Sequence, residues 1–173
     1  MQLDYSPEHE AFRAEVNKIL TKNAHLAPTT ADVGYKHPRR LGWQKFLIEN
    51  GLTARTIPTQ YGGYGAEPDI LKSRIIADEF FAAGVPMGLE NQGVSMLVPT
   101  LLEHGTEQQK QDWVARTIRG EIFWCQGYSE PGAGSDLASL QTRAVDDGDD
   151  FIINGQKIWT SSAHIAQMIF CLV

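Results

Sequence analysis

Up to about residue 120 the apolar positions recur three and four residues apart, whereas beyond it they come in short runs separated by turn residues. Ser6-Pro7-Glu8 reads as a helix start, with a hydroxyl cap and proline in the first turn; Phe12, Val16, Ile19 and Leu20 follow at helical spacing, ending near Thr21. The polar, proline-broken segment 23–38 predicts a loop, and a second helix spans about Arg40 to Asn50, closed by Gly51. After a glycine-rich loop from Pro58 to Glu67, a third helix runs from Pro68 to Ala83, where Leu71, Ile75, Ile76, Phe80 and Phe81 cover so much of the circumference that deep burial is expected. A fourth helix is expected from Val94 to His104, kinked at Pro99. In a fifth, Thr106 and Gln109 have capping-box spacing, and Trp113 and Ile118 face inward.

After Gly120 the pattern becomes that of strands. Residues Ile122 to Tyr128 are rich in β-formers, and residues 151–159 hold an Asn154-Gly155 pair that predicts a two-residue hairpin turn. Residues 166–173 form a last apolar run, and the chain stops within it, so the sequence reads as a fragment. The fold class is α+β: an all-α N-terminal domain over residues 1–120, then an incomplete antiparallel β-domain over residues 121–173.

With 15 Lys and Arg against 21 Asp and Glu, the net charge is −6 and the basic residues are scattered, which argues against nucleic acid as a partner. Cys125 and Cys171 form no CxxC motif and join no histidine cluster, so neither a disulfide framework nor a metal site is expected. The start, Met1 to Tyr5, lacks the basic and apolar regions of a signal peptide, and no apolar run reaches membrane-spanning length. The expected location is the cytoplasm, with no membrane partner.

The chemistry gathers in two segments. One is Gln126 to Asp136, with the hydroxyls of Tyr128, Ser129 and Ser135, a bend at Pro131, and Gly132 and Gly134, where a ligand can approach bare backbone. The other is Trp159-Thr160-Ser161, which begins 23 residues after Asp136 and adds an aromatic plate and two more hydroxyls. Together they suit a flat heterocycle with a polar edge, such as a flavin. Gln126, Tyr128 and Ser129 would meet its pyrimidine rim. Gly134 and Ser135 would meet a phosphate or pantetheine chain, Trp159 would stack on one face, and Thr160 and Ser161 would lie near the N5 edge, Ser161 sharing Trp159's side of a strand. Gly132 to Leu137 is not a dinucleotide fingerprint, because Leu137 holds the third glycine position and strand follows instead of helix. Phe80, Phe81 and Trp113 read as core, and Met96, Val98, Leu101 and Leu102 fit core packing at least as well as the lining of an apolar pocket.

These residues carry a resemblance. Tyr128-Ser129-Glu130-Pro131-Gly132-Ala133-Gly134-Ser135-Asp136 and Asn154-Gly155-Gln156-Lys157-Ile158-Trp159-Thr160-Ser161 are similar to the two flavin-site signatures of the acyl-CoA dehydrogenases. Tyr61-Gly62-Gly63 and Gly105 to Lys110 resemble further landmarks of that family, and Trp124 to Tyr128 is most similar to bacterial large-subunit members acting on dicarboxylyl or polycyclic acyl-CoAs. The resemblance implies a helical N-terminal domain, a middle β-barrel of which this chain holds the start, and a C-terminal four-helix domain outside it. It further implies FAD as cofactor, an acyl-CoA substrate also touched by Ser135, an electron-transfer acceptor, and a homo- or hetero-tetramer. The glutamate that removes the substrate α-proton would lie outside this chain, so no catalytic residue is expected within it. The alternatives are a same-fold flavin monooxygenase or nitroalkane oxidase, and a non-catalytic FAD- or CoA-binding subunit. An unclosed barrel would leave strands such as 168–173 unpaired and the chain poorly soluble.

Overall fold

The computed structural model describes residues 5–173; the first four residues, part of the segment read above for a leader, lie outside the described residues. Helix α1 spans Pro7–Asn23, with the Ser6 hydroxyl accepting from the His9 N–H at 3.3 Å. Helix α2, Pro38–Glu49, starts two residues earlier than expected, because Pro38 suits a first turn and the His37 ring accepts from the Arg39 N–H. Helix α3 is Ile70–Ala83. Pro68 falls outside it, since the Asp69 carboxylate caps the helix by accepting from the Leu71 and Lys72 N–H groups, both at 2.9 Å.

The deep burial expected around α3 holds on one side only. Ile75, Ile76 and Phe80 are buried, but Phe81 is 91% exposed and Leu71 44% exposed. Successive helical residues point about 100° apart, so the face that puts Ile76 and Phe80 against α1 turns Phe81 to solvent. The main cluster joins Val16 and Leu20 of α1, Trp43 and Leu47 of α2, and Ile76 and Phe80 of α3.

The fourth helix is two pieces, a π turn over Gly93–Leu97 and α4 over Val98–His104. The Val98 N–H bonds to the Gly93 carbonyl, five residues back. The wider turn makes room for the Pro99 ring, which would collide with the preceding carbonyl in a regular α-turn. Helix α5, Glu107–Ile118, carries the expected capping box: the Gln109 N–H donates to the Thr106 hydroxyl at 3.2 Å and the Thr106 N–H to the Gln109 side chain at 2.9 Å. Val114 and Ile118 pack on Ile48, Tyr61 and Val98 in a second cluster, while Trp113 is half-buried, edge-on to Trp124 at 5.5 Å.

Strand β1, Trp124–Gly127, leaves this helical body, and β2 (Arg143–Asp147), β3 (Asp150–Asn154) and β4 (Met168–Cys171) follow. Strands β2 and β3 pair antiparallel, the sense expected of the β-domain, although residues 143–147 were not among the expected strands; β1 and β4 pair parallel, with Gln126 opposite Phe170. The described strands form two two-stranded sheets and no closed barrel, and β4 is partnered where it was expected to be bare. The hairpin turn is also displaced. It lies at Gly148-Asp149, where Gly148 has φ +77°, and not at Asn154-Gly155. The Gly148-Asp149 pair is a competing two-residue turn signal, and Asn154 stays in register with Arg143. Gly155 instead lies so close to Thr142 that any side chain there would run into it.

Candidate functional site

Strand β1 is anchored at its start: the Trp124 indole N–H donates to the buried Thr117 hydroxyl at 2.9 Å, and that hydroxyl donates to the Trp113 carbonyl at 2.7 Å. Gln126 is half-buried, its carbonyl oxygen accepting from the Gln92 amide at 3.1 Å; Tyr128 meets Phe170 edge-on at 5.8 Å. Ser129 follows the strand, and its carbonyl accepts from the Ile158 N–H at 2.9 Å. The end of β1 and the Trp159 segment therefore lie side by side.

Trp159 is not on a strand. The structure has no ladder between β3 and β4, and Trp159 adopts a left-handed φ of +55° that leaves its indole 86% exposed. The expectation that Trp159 and Ser161 share one side of a strand therefore fails, because the two-residue alternation requires an extended backbone. Thr160 accepts the Ala163 N–H at 3.2 Å through its carbonyl and is half-buried. Ser161 lines a small cleft of about 180 Å³ with Asn91, Gln92, Phe123 and Trp124. Gln92 thus faces both Gln126 and the Ser161 cleft.

Gly134 and Ser135 lie further out, beyond a tight loop in which Glu130 and Ala133 exchange main-chain hydrogen bonds of 2.8 and 3.1 Å. Both are exposed, and a side chain at Gly134 would meet nothing within 4 Å. Among the described residues no hydrogen bond ties them to the 157–161 segment.

Two residues inside the motifs were overlooked as sequence. Glu130 is 7% exposed, and one of its oxygens accepts from the Lys157 ammonium at 2.8 Å and the Thr142 N–H at 2.9 Å. Its other oxygen accepts from the Gln141 N–H at 2.6 Å, while Lys157 also donates to the Tyr128 carbonyl at 3.1 Å. The available signal was two acids in the first motif, Glu130 and Asp136, and one base in the second, Lys157. The Lys157 ammonium and the main-chain donors hold the Glu130 carboxyl down to about 2 from an ordinary 4.5. Its stabilising contribution is therefore complete above pH 4.5 and is lost as pH falls from there to about 2. Acid titration of unfolding, followed by circular dichroism, is expected to show this loss in the wild type and to lack that part of it in Glu130→Gln. Coincident curves would contradict the assignment. Burial pushes both the Cys125 and Cys171 thiols up, so neither is poised as a thiolate.

A helical body leads into this two-motif β-segment, and comparisons with known proteins identify the family. The family description "Acyl-CoA dehydrogenase, N-terminal domain" matches residues 6–121, and "Acyl-CoA dehydrogenase, middle domain" matches residues 125–173. The chain belongs to the acyl-CoA dehydrogenase family. It is 40% identical to acyl-CoA dehydrogenase IpdE1 of Mycobacterium tuberculosis over 94% of this chain and 44% of the relative. It is 34% identical to the mitochondrial short-chain specific acyl-CoA dehydrogenase of Bos taurus over 93% of this chain and 38% of that protein. Among solved structures, the ChsE4-ChsE5 complex from Mycobacterium tuberculosis superposes with a TM-score of 0.70 at 32% identity, covering 99% of this chain and 43% of that one. The steroid acyl-CoA dehydrogenase Tcur3481-Tcur3483 gives 0.68 at 36% identity, covering 99% and 44%. The chain spans under half the length of these relatives. No helix among the described residues is long and apolar enough to cross a membrane.

Proposed function

We propose that this chain supplies the helical domain, to about residue 120, and the first part of the FAD-binding β-domain, residues 121–173, of a dehydrogenase that introduces an α,β double bond into an acyl-CoA. The observation that carries this is the joining of Ser129 to Ile158, which sets an exposed indole beside the polar end of β1. The donor set fits a flavin: an uncovered aromatic face at Trp159, a half-buried amide at Gln126, and hydroxyls at Tyr128, Ser129, Thr160 and Ser161. These residues would hold the ring, and Gly134 and Ser135 would meet the phosphate or pantetheine part of a ligand, Ser135 also touching substrate. FAD, when bound, supplies the acceptor for the substrate β-hydride. The chain's own residues bind, orient and shield the ring, and the base for the α-proton is left to parts of the relatives that this chain does not span. An electron-transfer acceptor and a homo- or hetero-tetramer belong to the same reading. Two solved neighbours, ChsE4-ChsE5 and Tcur3481-Tcur3483, carry two chain names each, which favours a second, different subunit.

Titration of the purified protein with FAD is expected to quench tryptophan fluorescence, and an acyl-CoA is expected to bleach the visible absorption of the bound flavin once any required partner is present. Trp159→Leu should weaken FAD binding about two- to twelvefold, the worth of one aromatic stack. Because the indole is 86% exposed, the same change should shift unfolding by less than about 0.5 kcal/mol. Unaltered FAD affinity in Trp159→Leu would remove that residue from the site, and a protein that takes up no FAD would overturn the function.

A further inference from the structure

We propose that the Glu130–Lys157 pair is the positioning device of this site, holding the Trp159 segment against the end of β1 where strand pairing does not. The proposal rests on the reading of the site as a flavin site. Residues 155–167 belong to no strand, so the segment carrying Trp159, Thr160 and Ser161 has no ladder to fix it. Its ties to β1's continuation are few: the Ile158 N–H to the Ser129 carbonyl at 2.9 Å, the Lys157 ammonium to the Tyr128 carbonyl at 3.1 Å, and the same ammonium to Glu130 at 2.8 Å. Two of these three run through Lys157. Glu130 in turn gathers the Gln141 and Thr142 N–H groups, so one carboxylate binds three stretches of chain at once: its own loop, the entry to β2, and the exit from β3.

The pair is shielded, with side-chain exposures of 7% for Glu130 and 11% for Lys157. Charge-assisted hydrogen bonds are strongest where water is excluded, and removing one partner strands the other. Trp159 is two residues from Lys157 and has a left-handed backbone, a conformation that an unconstrained L-residue seldom keeps. Neither Glu130 nor Lys157 is placed on the flavin itself. They act through Ser129, Ile158 and Trp159.

The test uses the full chain as its gene encodes it, with any partner the enzyme needs. Glu130→Gln keeps the shape but turns an N–H₂ group toward a donor, and Lys157→Met keeps the stem without the charge. Amide exchange of Gln141, Thr142 and Ile158 should accelerate about ten- to hundredfold in both variants, while amides of α1, α3 and α5 stay unchanged. The FAD dissociation constant should rise about tenfold or more, and the visible circular dichroism of bound flavin should change; Lys157→Arg should restore both. Unchanged exchange at Ile158 in Glu130→Gln overturns the proposal whether or not FAD binds. Faster exchange with an unaltered flavin spectrum and affinity also overturns it, because the pair would then be merely structural. A wild-type protein that takes up no FAD would overturn the functional reading itself, and the exchange data would still decide whether the pair holds the segment.

Discussion

Trp43→Ala is expected to lower the stability of the helical body by about 3 to 5 kcal/mol, the range for emptying a large aromatic site in a packed core. Trp43 is 1% exposed, stacks on Phe46 with ring centroids 5.3 Å apart, and lies in the cluster formed by α1, α2 and α3. Its indole N–H also donates to the Pro86 carbonyl at 2.8 Å, so truncation opens a cavity and strips a partner from the segment that follows α3. Against a total stability of about 5 to 15 kcal/mol for a domain, such a loss puts folding at risk. Phe81→Ala is the control: at 91% exposure it should change stability by less than about 0.5 kcal/mol. Urea denaturation at constant slope measures both. Equal effects from the two substitutions would contradict the one-sided burial of α3 and the core assignment of Trp43.

Gln44→Leu is expected to be nearly as severe for a different reason. Leucine fills about the same volume, so little cavity forms, and the polar contribution stands alone. The Gln44 side chain, 1% exposed, donates to the Ile118 carbonyl at 2.6 Å and accepts from the Leu89 N–H at 2.8 Å. Each main-chain group left unpaired costs about 1 to 3 kcal/mol. Leu89 lies three residues before Gln92, whose amide reaches Gln126, so the loss should extend to the site. The expected result is reduced stability together with weaker FAD binding. Reduced stability with unchanged binding would separate the 89–92 segment from the cofactor, and an unchanged stability would contradict the buried bonding of Gln44.

The helical half was legible because its signals are local. Ser6 and Thr106 announce helix starts through hydroxyls that cap their own first turns, and Gly84 closes α3 through a left-handed conformation that glycine adopts freely. Where two local signals competed, the reading slipped. Asn154-Gly155 and Gly148-Asp149 are both hairpin pairs, and the second formed the turn, setting Arg143 against Asn154 and Val145 against Ile152. Phe80 and Phe81 are indistinguishable by composition, and only the position of α1 buries the first and exposes the second.

Residues close together along the chain were enough to set its class, its five-helix order, the caps of α1 and α5 and the two motifs that mark its family. Tertiary structure alone decided that β1 takes β4 as a parallel partner, that Trp159 leaves the strand conformation, and that Glu130 meets Lys157 across 27 positions. Those outcomes depend on which distant groups can satisfy a buried carboxylate and a bare strand edge, and that is settled only when the chain has closed upon itself.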